Sequence, residues 1–305
     1  MRSLATLFVC CCAVPVRADL LVYEPFDYAT GGAVLGQTSV TSQTWVSAYA
    51  ADAPDSIKVA NGNLTVPMPL QPAVGNSAEI DGSGNGAGKA IRLPLNGGAA
   101  QNSGDTVYYS LALRVDDLSG STQMVGGFFV GLNNSAVATT SNPTAAAARL
   151  QGRIDPTNST MYNLGIFRNV NAAAAATSWS GPLTVGETLF LVASYETVAG
   201  NQNDIARLWI NPDPSTFNDP LFSPLTTPPT IIDNTTSTGS DIGIASILLR
   251  QGPAPHVTLD ELRVGTDWAS VTAIPEASPF FVLLLVSALL VAAQTKAWKL
   301  LGKCA

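Results

Sequence analysis

The sequence predicts an all-β protein, folded either as a sandwich of two sheets or as a barrel. Between residues 19 and 273, short alternations of apolar and polar residues recur about every ten residues, a pattern typical of strands. Gly, Pro, Asn, Asp and Ser separate these segments, as expected for turns. The same stretch lacks long 3.6-residue or heptad patterns, so architectures built from helices are excluded.

Eleven strands follow from this alternation. The clearest is 106–115, where apolar residues at every second position share one face and Arg114 lies on the other. Segment 188–196 repeats the pattern. In chain order, the predicted strands are 20–23, 57–66, 89–93, 106–115, 124–132, 149–154, 161–168, 188–196, 205–210, 242–250 and 257–264.

Two local features qualify these strands. In 257–264 the apolar residues change phase, so we expect a β-bulge near Asp260 and Glu261. The alanine tracts 145–148 and 172–176 are too short to form stable helices alone. We therefore predict loops or single turns for both tracts.

The composition excludes several classes of protein. The chain has 305 residues, 46% of them apolar, and a formal net charge of −7, which argues against a nucleic-acid-binding protein. A single histidine excludes a multi-histidine metal site. Residues 19–273 alone carry a formal charge of −11, which favours solubility and disfavours polyanionic partners.

The N-terminus has the pattern of a secretory signal peptide, predicted to span residues 1–18. Arg2 gives the positive start, residues 4–14 form the apolar core, and Ala18 precedes the predicted cleavage before Asp19. A buried N-terminal helix is the weaker alternative, because the apolar segment is short. After cleavage the globular part has no disulfide, since the remaining cysteine is Cys304.

The C-terminus has the pattern of a membrane span. Residues 280–293 form an unbroken apolar run, which we extend to a predicted transmembrane helix 280–301. Lys296 and Lys299 would reach toward the membrane surface. Together with Lys303, they place the tail in the cytoplasm by the positive-inside rule.

Segment 274–305 resembles a PEP-CTERM sorting signal, which exosortases read in bacteria that make exopolysaccharide. The resemblance rests on Pro275 and Glu276, the apolar helix after them and the basic end. It departs from the family at Ala277, where a second proline is usual, and in its spaced lysines. The resemblance implies an exosortase-type processing enzyme as a partner. A plain membrane anchor is the alternative, and a buried core helix is disfavoured by the terminal position.

Segments 21–28 and 259–265, the latter followed by Trp268, resemble the first and last strands of concanavalin A-like (LamG-like) jelly-roll proteins. Segment 208–212 resembles a late strand and turn of the same family. The resemblance implies a two-sheet antiparallel jelly-roll sandwich over 19–273, with the two chain ends as neighbouring strands. It implies little about activity.

The chain offers one comparison with glycosidases of this fold. Glu79 and Asp81 match the start of a laminarinase-type active strand, whose alternate carboxylates serve as nucleophile and acid. The third carboxylate would fall at Ser83 or Gly84, so the acid is missing. A retaining mechanism cannot run with this pair alone.

A calcium loop is a second hypothesis for the same stretch. Asp81, Ser83 and Asn85 place oxygens at positions 1, 3 and 5, with Gly86 at position 6. Arg92 falls at position 12, where an EF-hand needs a glutamate, so an EF-hand is excluded. A looser calcium site stays open, and a flexible glycine turn is the favoured alternative.

The histidine and the tryptophans are the remaining candidates. His256 precedes the last strand and lies near Asp260 and Glu261 in sequence, but no nucleophile completes a triad, so we expect a structural role. Trp209 and Trp268 are assigned to the core. Trp45 and Trp179 lie in polar, loop-like stretches, which makes them the candidates for stacking on sugar rings if they are exposed.

The sequence therefore predicts a non-enzymatic exported protein of the cell surface or extracellular matrix that binds glycans beside extracellular polysaccharide. A carbohydrate-active enzyme of the same fold, a hydrolase or a lyase, is the first alternative. Two carboxyl groups facing each other across a sheet would indicate it. A purely structural spacer is the second alternative, and a sheet without an aromatic patch would indicate it.

Overall fold

Fifteen strands among the described residues form two antiparallel sheets in a computed structural model of the chain. The structure describes residues 20–49, 57–81, 89–97, 102–121, 126–141, 143, 145–169, 179–235 and 241–274. Sheet 1 has eight strands and sheet 2 has seven. Their inner faces pack against each other, which confirms the predicted two-sheet sandwich.

Sheet 1 has the strand order β13-β12-β11-β6-β15-β4-β3, and β1 also pairs with β15. Its long central strands are predicted well, because they alternate cleanly. Its strands are β1 (Leu20–Glu24), β3 (Ile57–Ala60), β4 (Ser77–Ile80), β6 (Thr106–Asp117), β11 (Thr188–Glu196), β12 (Ile205–Ile210), β13 (Ile231–Asp233) and β15 (His256–Gly265).

Sheet 2 has the order β10-β9-β8-β7-β14-β5-β2. Strand β14, which is distant in sequence from both of its neighbours, therefore lies between β7 and β5. Its strands are β2 (Val46–Tyr49), β5 (Ala90–Pro94), β7 (Gly127–Asn133), β8 (Ala146–Ile154), β9 (Met161–Phe167), β10 (Leu183–Thr184) and β14 (Ser246–Arg250).

Strand β15 joins the two ends of the described chain. One of its sides pairs with β6, while the other pairs with β4 over 257–259 and with β1 over 262–265. The register shifts between Asp260 and Arg263, and Glu261 has a φ of +53°. The predicted bulge and the predicted pairing of the first and last strands are both confirmed.

The core lies between the sheets. Alternate residues such as Leu111 and Leu191 of sheet 1 meet Leu93, Leu132 and Leu249 of sheet 2, and all five are fully buried. Burying such side chains stabilises the fold by about 1.5–3 kcal/mol each.

A second apolar cluster covers the outer face of sheet 1. Helix α1 (Trp268–Val271) and the 3₁₀ turn at Pro214–Thr216 belong to the segments that cover it. Trp209 and Trp268 lie in this cluster with ring centroids 5.2 Å apart, and both are buried. Their predicted structural role is confirmed.

Several expectations from the sequence are wrong. Residues 146–148 of the first alanine tract belong to strand β8 rather than to a loop or turn. The predicted strand 57–66 ends at Ala60, because Gly62 adopts a φ of +87° in a turn. Strands β2, β4, β10 and β13 are short and were not predicted.

Other expectations fall outside the described residues. They concern the signal peptide with its cleavage between Ala18 and Asp19, the alanine tract 172–176, and the sorting signal and span within 275–305. Within the described part of the chain, no helix has the length and apolar character needed to cross a membrane.

Candidate functional site

The outer face of sheet 2, turned away from the core, carries an unusual set of side chains. Strand β8 begins it, because side chains alternate along a strand and Leu150 points into the core. Arg149, Gln151 and Arg153 therefore point outward. Arg149 and Gln151 are nearly buried, and Arg153 is half-buried.

A β-bulge sets this alternation. Leu132 of β7 pairs with Ala147 and Val130 pairs with Leu150, so Ala148 and Arg149 together oppose a single residue. Ala148 has a φ of +42°, a conformation that residues with a Cβ seldom adopt. Bulges of this kind re-aim side chains, and this one directs Arg149 outward.

Arg92 of β5 lies in the same cross-strand row. It pairs with Leu248 of β14, which pairs with Gly131 of β7, and a Cβ on Gly131 would lie 3.3 Å from Cγ of Arg149. The glycine thus leaves space for the arginine. Neighbouring strands lie about 4.8 Å apart, so the two arginine Cα atoms are about 14 Å apart.

Phe128 of β7 lies between two guanidinium groups. The Cζ atom of Arg149 is 5.4 Å from the ring centroid, and that of Arg250 on β14 is 4.6 Å from it. Small apolar side chains surround the ring on the same face, and the closest set is Ala48, Ala90, Ala146 and Leu248. The result is an apolar floor with cations above it.

Trp179 lies at the β9 side of this face and is half-buried. Its ring packs on backbone: a Cβ added to Gly165 would lie 2.8 Å from it, and one added to Gly126 would lie 2.6 Å from it. Arg153 stacks over the ring at 4.2 Å, and its Nε donates to Oδ1 of Asn163 at 3.2 Å. Trp179 thus lies on this face half-buried and with Arg153 over its ring, and its stacking on sugar rings stays a prediction.

The guanidinium groups are poorly satisfied. Nε and Nη1 of Arg92, Nε of Arg149 and Nε of Arg250 are buried without a hydrogen-bond partner among the described residues. Arg92 donates one bond to the carbonyl of Ala48 at 3.4 Å, and Arg149 donates one to the carbonyl of Asn169. Burial, and then repulsion from Arg250, lower the pKa of Arg149 to about 10.

Carboxylates are scarce on this face. The described strands of sheet 2 contain no Asp or Glu. Asp155 follows β8 and accepts hydrogen bonds from Thr157, Asn158 and Asn163. These bonds, led by that of the Thr157 hydroxyl, lower its pKa to about 2, so it stays ionised and is a poor general acid.

Trp45 does not belong to this site. It is 1% exposed, its ring stacks on Phe26, and its Nε1 donates to the Glu24 carboxylate at 2.8 Å. The expectation that Trp45 lies exposed on a loop is wrong, because this ring fills the core around a buried acid. It cannot stack on a sugar in this position.

The residues compared with a glycosidase strand lie on the other sheet. Glu79 of β4 is 2.8 Å from Nε2 of His256, and Nδ1 of His256 is 3.4 Å from Asp117. Asp81 follows the end of β4. The histidine therefore bridges two carboxylates at the rim of sheet 1, the structural role expected for it.

The structure describes only the first residue of the predicted calcium loop. Asp81 is described, whereas Ser83 and Asn85 lie outside the described residues. Within the described ranges, no group of three or more His, Cys, Asp or Glu is arranged to hold a metal ion. A pocket of about 270 Å³ beside sheet 1 brings together Asp105, Asp219 and Asp267, but each accepts hydrogen bonds from nearby backbone N–H groups.

Sequence reasoning missed most of the site. It did not select Arg92, Phe128, Arg149, Arg153 or Arg250. One signal was readable, since Arg, Gln and Arg at alternate positions of a predicted strand make one polar face. The overall acidic charge concealed it.

The chain matches no protein-family model and no curated protein. Several solved structures are similar in fold. The globular domain of T. cruzi calreticulin is 8% identical, covers 83% of this chain and 90% of its own, and has a TM-score of 0.43. The Emp47p carbohydrate recognition domain is 9% identical with coverages of 80% and 97% and a TM-score of 0.39. The GH131 β-glucanase catalytic domain from Podospora anserina is 11% identical with coverages of 82% and 100% and a TM-score of 0.38.

Proposed function

We propose that the protein is an exported, non-enzymatic, concanavalin A-like protein of the cell surface or extracellular matrix that binds polysaccharide on the outer face of sheet 2. Export rests on the predicted signal peptide 1–18 and sorting signal 274–305. Glycan binding rests on the composition of that face.

One observation carries the proposal. The face combines hydrogen-bond donors on alternate residues of β8 with aromatic rings, Phe128 and Trp179, on the neighbouring elements. Planar polar groups bind sugar hydroxyls, and apolar rings bind the faces of sugar rings. A purely structural sheet would have no reason to bury arginine donors without partners.

Enzymatic hydrolysis is the alternative function. A glycosidase needs two carboxyl groups about 5–10 Å apart across the scissile bond, and the described strands of this face carry no carboxylate. A lyase needs a base to remove a proton, and the residue types that the described face offers are mainly arginine, amide and aromatic. We therefore expect binding without turnover.

Affinity electrophoresis of the full chain in gels that contain polysaccharides tests the proposal. Arg153→Gln should weaken retention about tenfold or more, because it removes a charged donor from the face. The matched control is Arg114→Gln, because Arg114 lies on sheet 1 and pairs with Asp116 at 2.5 Å; it should leave retention unchanged. Retention by no polysaccharide, or equal effects of both variants, would refute glycan binding, and release of reducing ends would favour the enzyme.

The processing of the tail is tested separately. We expect the form recovered from culture medium to begin at Asp19 and to end near Glu276. A protein that keeps Lys303 in the membrane fraction would contradict processing by an exosortase-type enzyme and would favour a plain anchor. Intact mass and terminal sequencing of both fractions measure this.

A further inference from the structure

The outer face of sheet 2 concentrates positive charge in an acidic protein. Four of its residues are arginines, and the chain has a net charge of −7. The ion pairs found within the described residues involve other cations, on sheet 1 and at β15. None of them neutralises Arg92, Arg149, Arg153 or Arg250.

Two of these arginines are also buried. Arg92 is 1% exposed and Arg149 is 6% exposed. A buried charge without a partner destabilises the folded state, and so does a buried donor without an acceptor. Such costs persist in proteins where a ligand supplies the missing partner, which makes this face a candidate anion site.

The arrangement around Phe128 points the same way. Its ring holds the guanidinium groups of Arg149 and Arg250 on one face of the sheet, where their like charges repel each other. Asp233, on a strand of sheet 1, attracts Arg149 only partly, since the pKa of Arg149 stays below its usual value. An anion placed between the two arginines would relieve the repulsion.

The dimensions exclude a single small anion as the sole ligand. The Cα atoms of Arg92 and Arg149 are three strand spacings apart, about 14 Å. The Cα atoms of Arg149 and Arg153, four residues apart on one strand, are about 13 Å apart. One carboxylate or phosphate cannot reach all of these cations. A polymer with charges at intervals can.

We infer, resting on the proposed glycan binding, that the ligand is an acidic polysaccharide whose sugar rings carry carboxylates. Arg250 binds a carboxylate through its guanidinium fork, because a planar fork matches a carboxylate in two parallel hydrogen bonds. Arg149, whose Nη2 is held by the Asn169 carbonyl, supplies the adjoining positive charge. Phe128, which is 9% exposed, holds the two guanidinium groups in place beneath the sugar ring. Arg153, held by Trp179, binds the next charged unit along the chain.

The neutral donors on this face separate two classes of polyanion. A nucleic acid and a polyuronate both carry about one charge per repeating unit, so the acidic surface outside this face repels both. A glycan with charges on its sugars and hydroxyls between them also uses the neutral donors, such as Gln151. Nucleic acid is therefore an outcome of the test and not the proposal.

Isothermal titration of the full chain provides the test. The probes are a galacturonic acid hexamer, the same hexamer with its carboxyl groups methyl-esterified, a laminarin hexamer, a heparin hexasaccharide and a single-stranded DNA hexamer. We expect the galacturonic acid hexamer to bind at least about tenfold more tightly than the methyl-esterified, laminarin and DNA hexamers, and its affinity to fall as salt is raised. Heparin, whose uronic acids also carry carboxylates, should bind as well.

Variants locate the effect. Arg250→Gln should weaken binding of the galacturonic acid hexamer about tenfold or more. It should leave the weak binding of the uncharged hexamers unchanged. Arg207→Gln is the control, because Arg207 pairs with Glu196 on sheet 1 at 2.6 Å, and it should bind like the parent. Phe128→Leu keeps the apolar floor and removes the ring that Arg149 and Arg250 contact. It provides a second test of the site if an arginine variant fails to fold.

The outcomes separate this inference from the function on which it rests. Equal affinity for the acidic and methyl-esterified hexamers, with no effect of Arg250→Gln, would overturn the carboxylate assignment and leave glycan binding standing. Tighter binding of DNA would also overturn it. Failure of every saccharide to bind would instead refute glycan binding itself.

Discussion

Tyr109 of sheet 1 donates its hydroxyl hydrogen to the backbone carbonyl of Ala148 in sheet 2, at 2.7 Å. The bond crosses the core and ends on the bulge that directs Arg149 outward. Both residues are fully buried. The geometry of the binding face is therefore fixed in part from the opposite sheet.

The first prediction concerns this bond. Tyr109→Phe should lower the free energy of unfolding by about 1 kcal/mol, the usual net worth of a buried hydrogen bond. The matched control is Tyr162→Phe, because Tyr162 is equally buried and its hydroxyl has no hydrogen-bond partner among the described residues. It should leave stability unchanged or raise it. Urea denaturation measures both, and equal losses would contradict the role given to Tyr109.

The second prediction concerns Trp45, which donates to the buried carboxylate of Glu24. Trp45→Phe removes one of three donors to that acid and should destabilise the fold by about 1–3 kcal/mol beyond the volume loss. Trp209→Phe is the control, since Trp209 is also buried but donates to a neutral carbonyl, that of Thr227. Thermal unfolding measures the stability of both variants. A larger loss of stability in Trp209→Phe than in Trp45→Phe would contradict the role given to the bond between Trp45 and Glu24.

The third prediction concerns pH. Burial raises the pKa of Asp260 to about 8, against hydrogen bonds from the N–H groups of Leu64 and Glu261, while the unfolded carboxyl titrates near its ordinary value of about 3.9. The folded state thus holds a proton that the unfolded state has lost. Stability should fall as pH rises from about 5 to 8, by up to about 1.4 kcal/mol per pH unit.

Two variants check the source of this slope. Asp260→Asn should flatten the change of unfolding free energy between pH 5 and 8. Asp155→Asn should not, because hydrogen bonds lower the pKa of Asp155 to about 2, and its contribution is lost only as pH falls toward that value. An unchanged slope in Asp260→Asn would assign the effect to Glu24, whose pKa burial also raises.

The fourth prediction concerns the floor under Trp179. Gly165→Ala would place a Cβ 2.8 Å from the indole and 3.0 Å from Phe167, so it should displace Trp179 and release Arg153. We expect a shifted tryptophan fluorescence, a loss of about 1–3 kcal/mol from overpacking and weaker glycan retention. Gly181→Ala meets nothing within 4 Å and should change none of these. If Gly165→Ala were retained by polysaccharide as strongly as the parent, Trp179 would not belong to the glycan-binding site.

Much of the fold was predictable because the central strands alternate without interruption. Strands β11 and β12 match their predicted limits, and the phase change at Asp260 located the bulge. The alanine start of β8 was not predictable, because alanine carries little strand preference and pairing with β7 decides its conformation. Strands β2, β4, β10 and β13, of two to four residues each, show too little alternation to be detected.

The site was less predictable for a physical reason. Arg149 and Arg153 share one strand, but Arg92, Phe128 and Arg250 reach the same face from three others, which are neighbours only through the order β8-β7-β14-β5. A sequence read along one line does not give that order. Net charge, as an average over the chain, cannot reveal a local excess of arginine.

The position of β15 has a consequence for how the protein is made. It is the last strand of the described chain, yet β1, β4 and β6 all depend on it for hydrogen bonds. Because the chain is synthesised from its N-terminus, β1 stays unpaired until more than two hundred further residues have been added. Prematurely terminated chains would present several open edges at once. Chaperones and proteases would therefore encounter either the complete sheet or a fragment that is prone to aggregation.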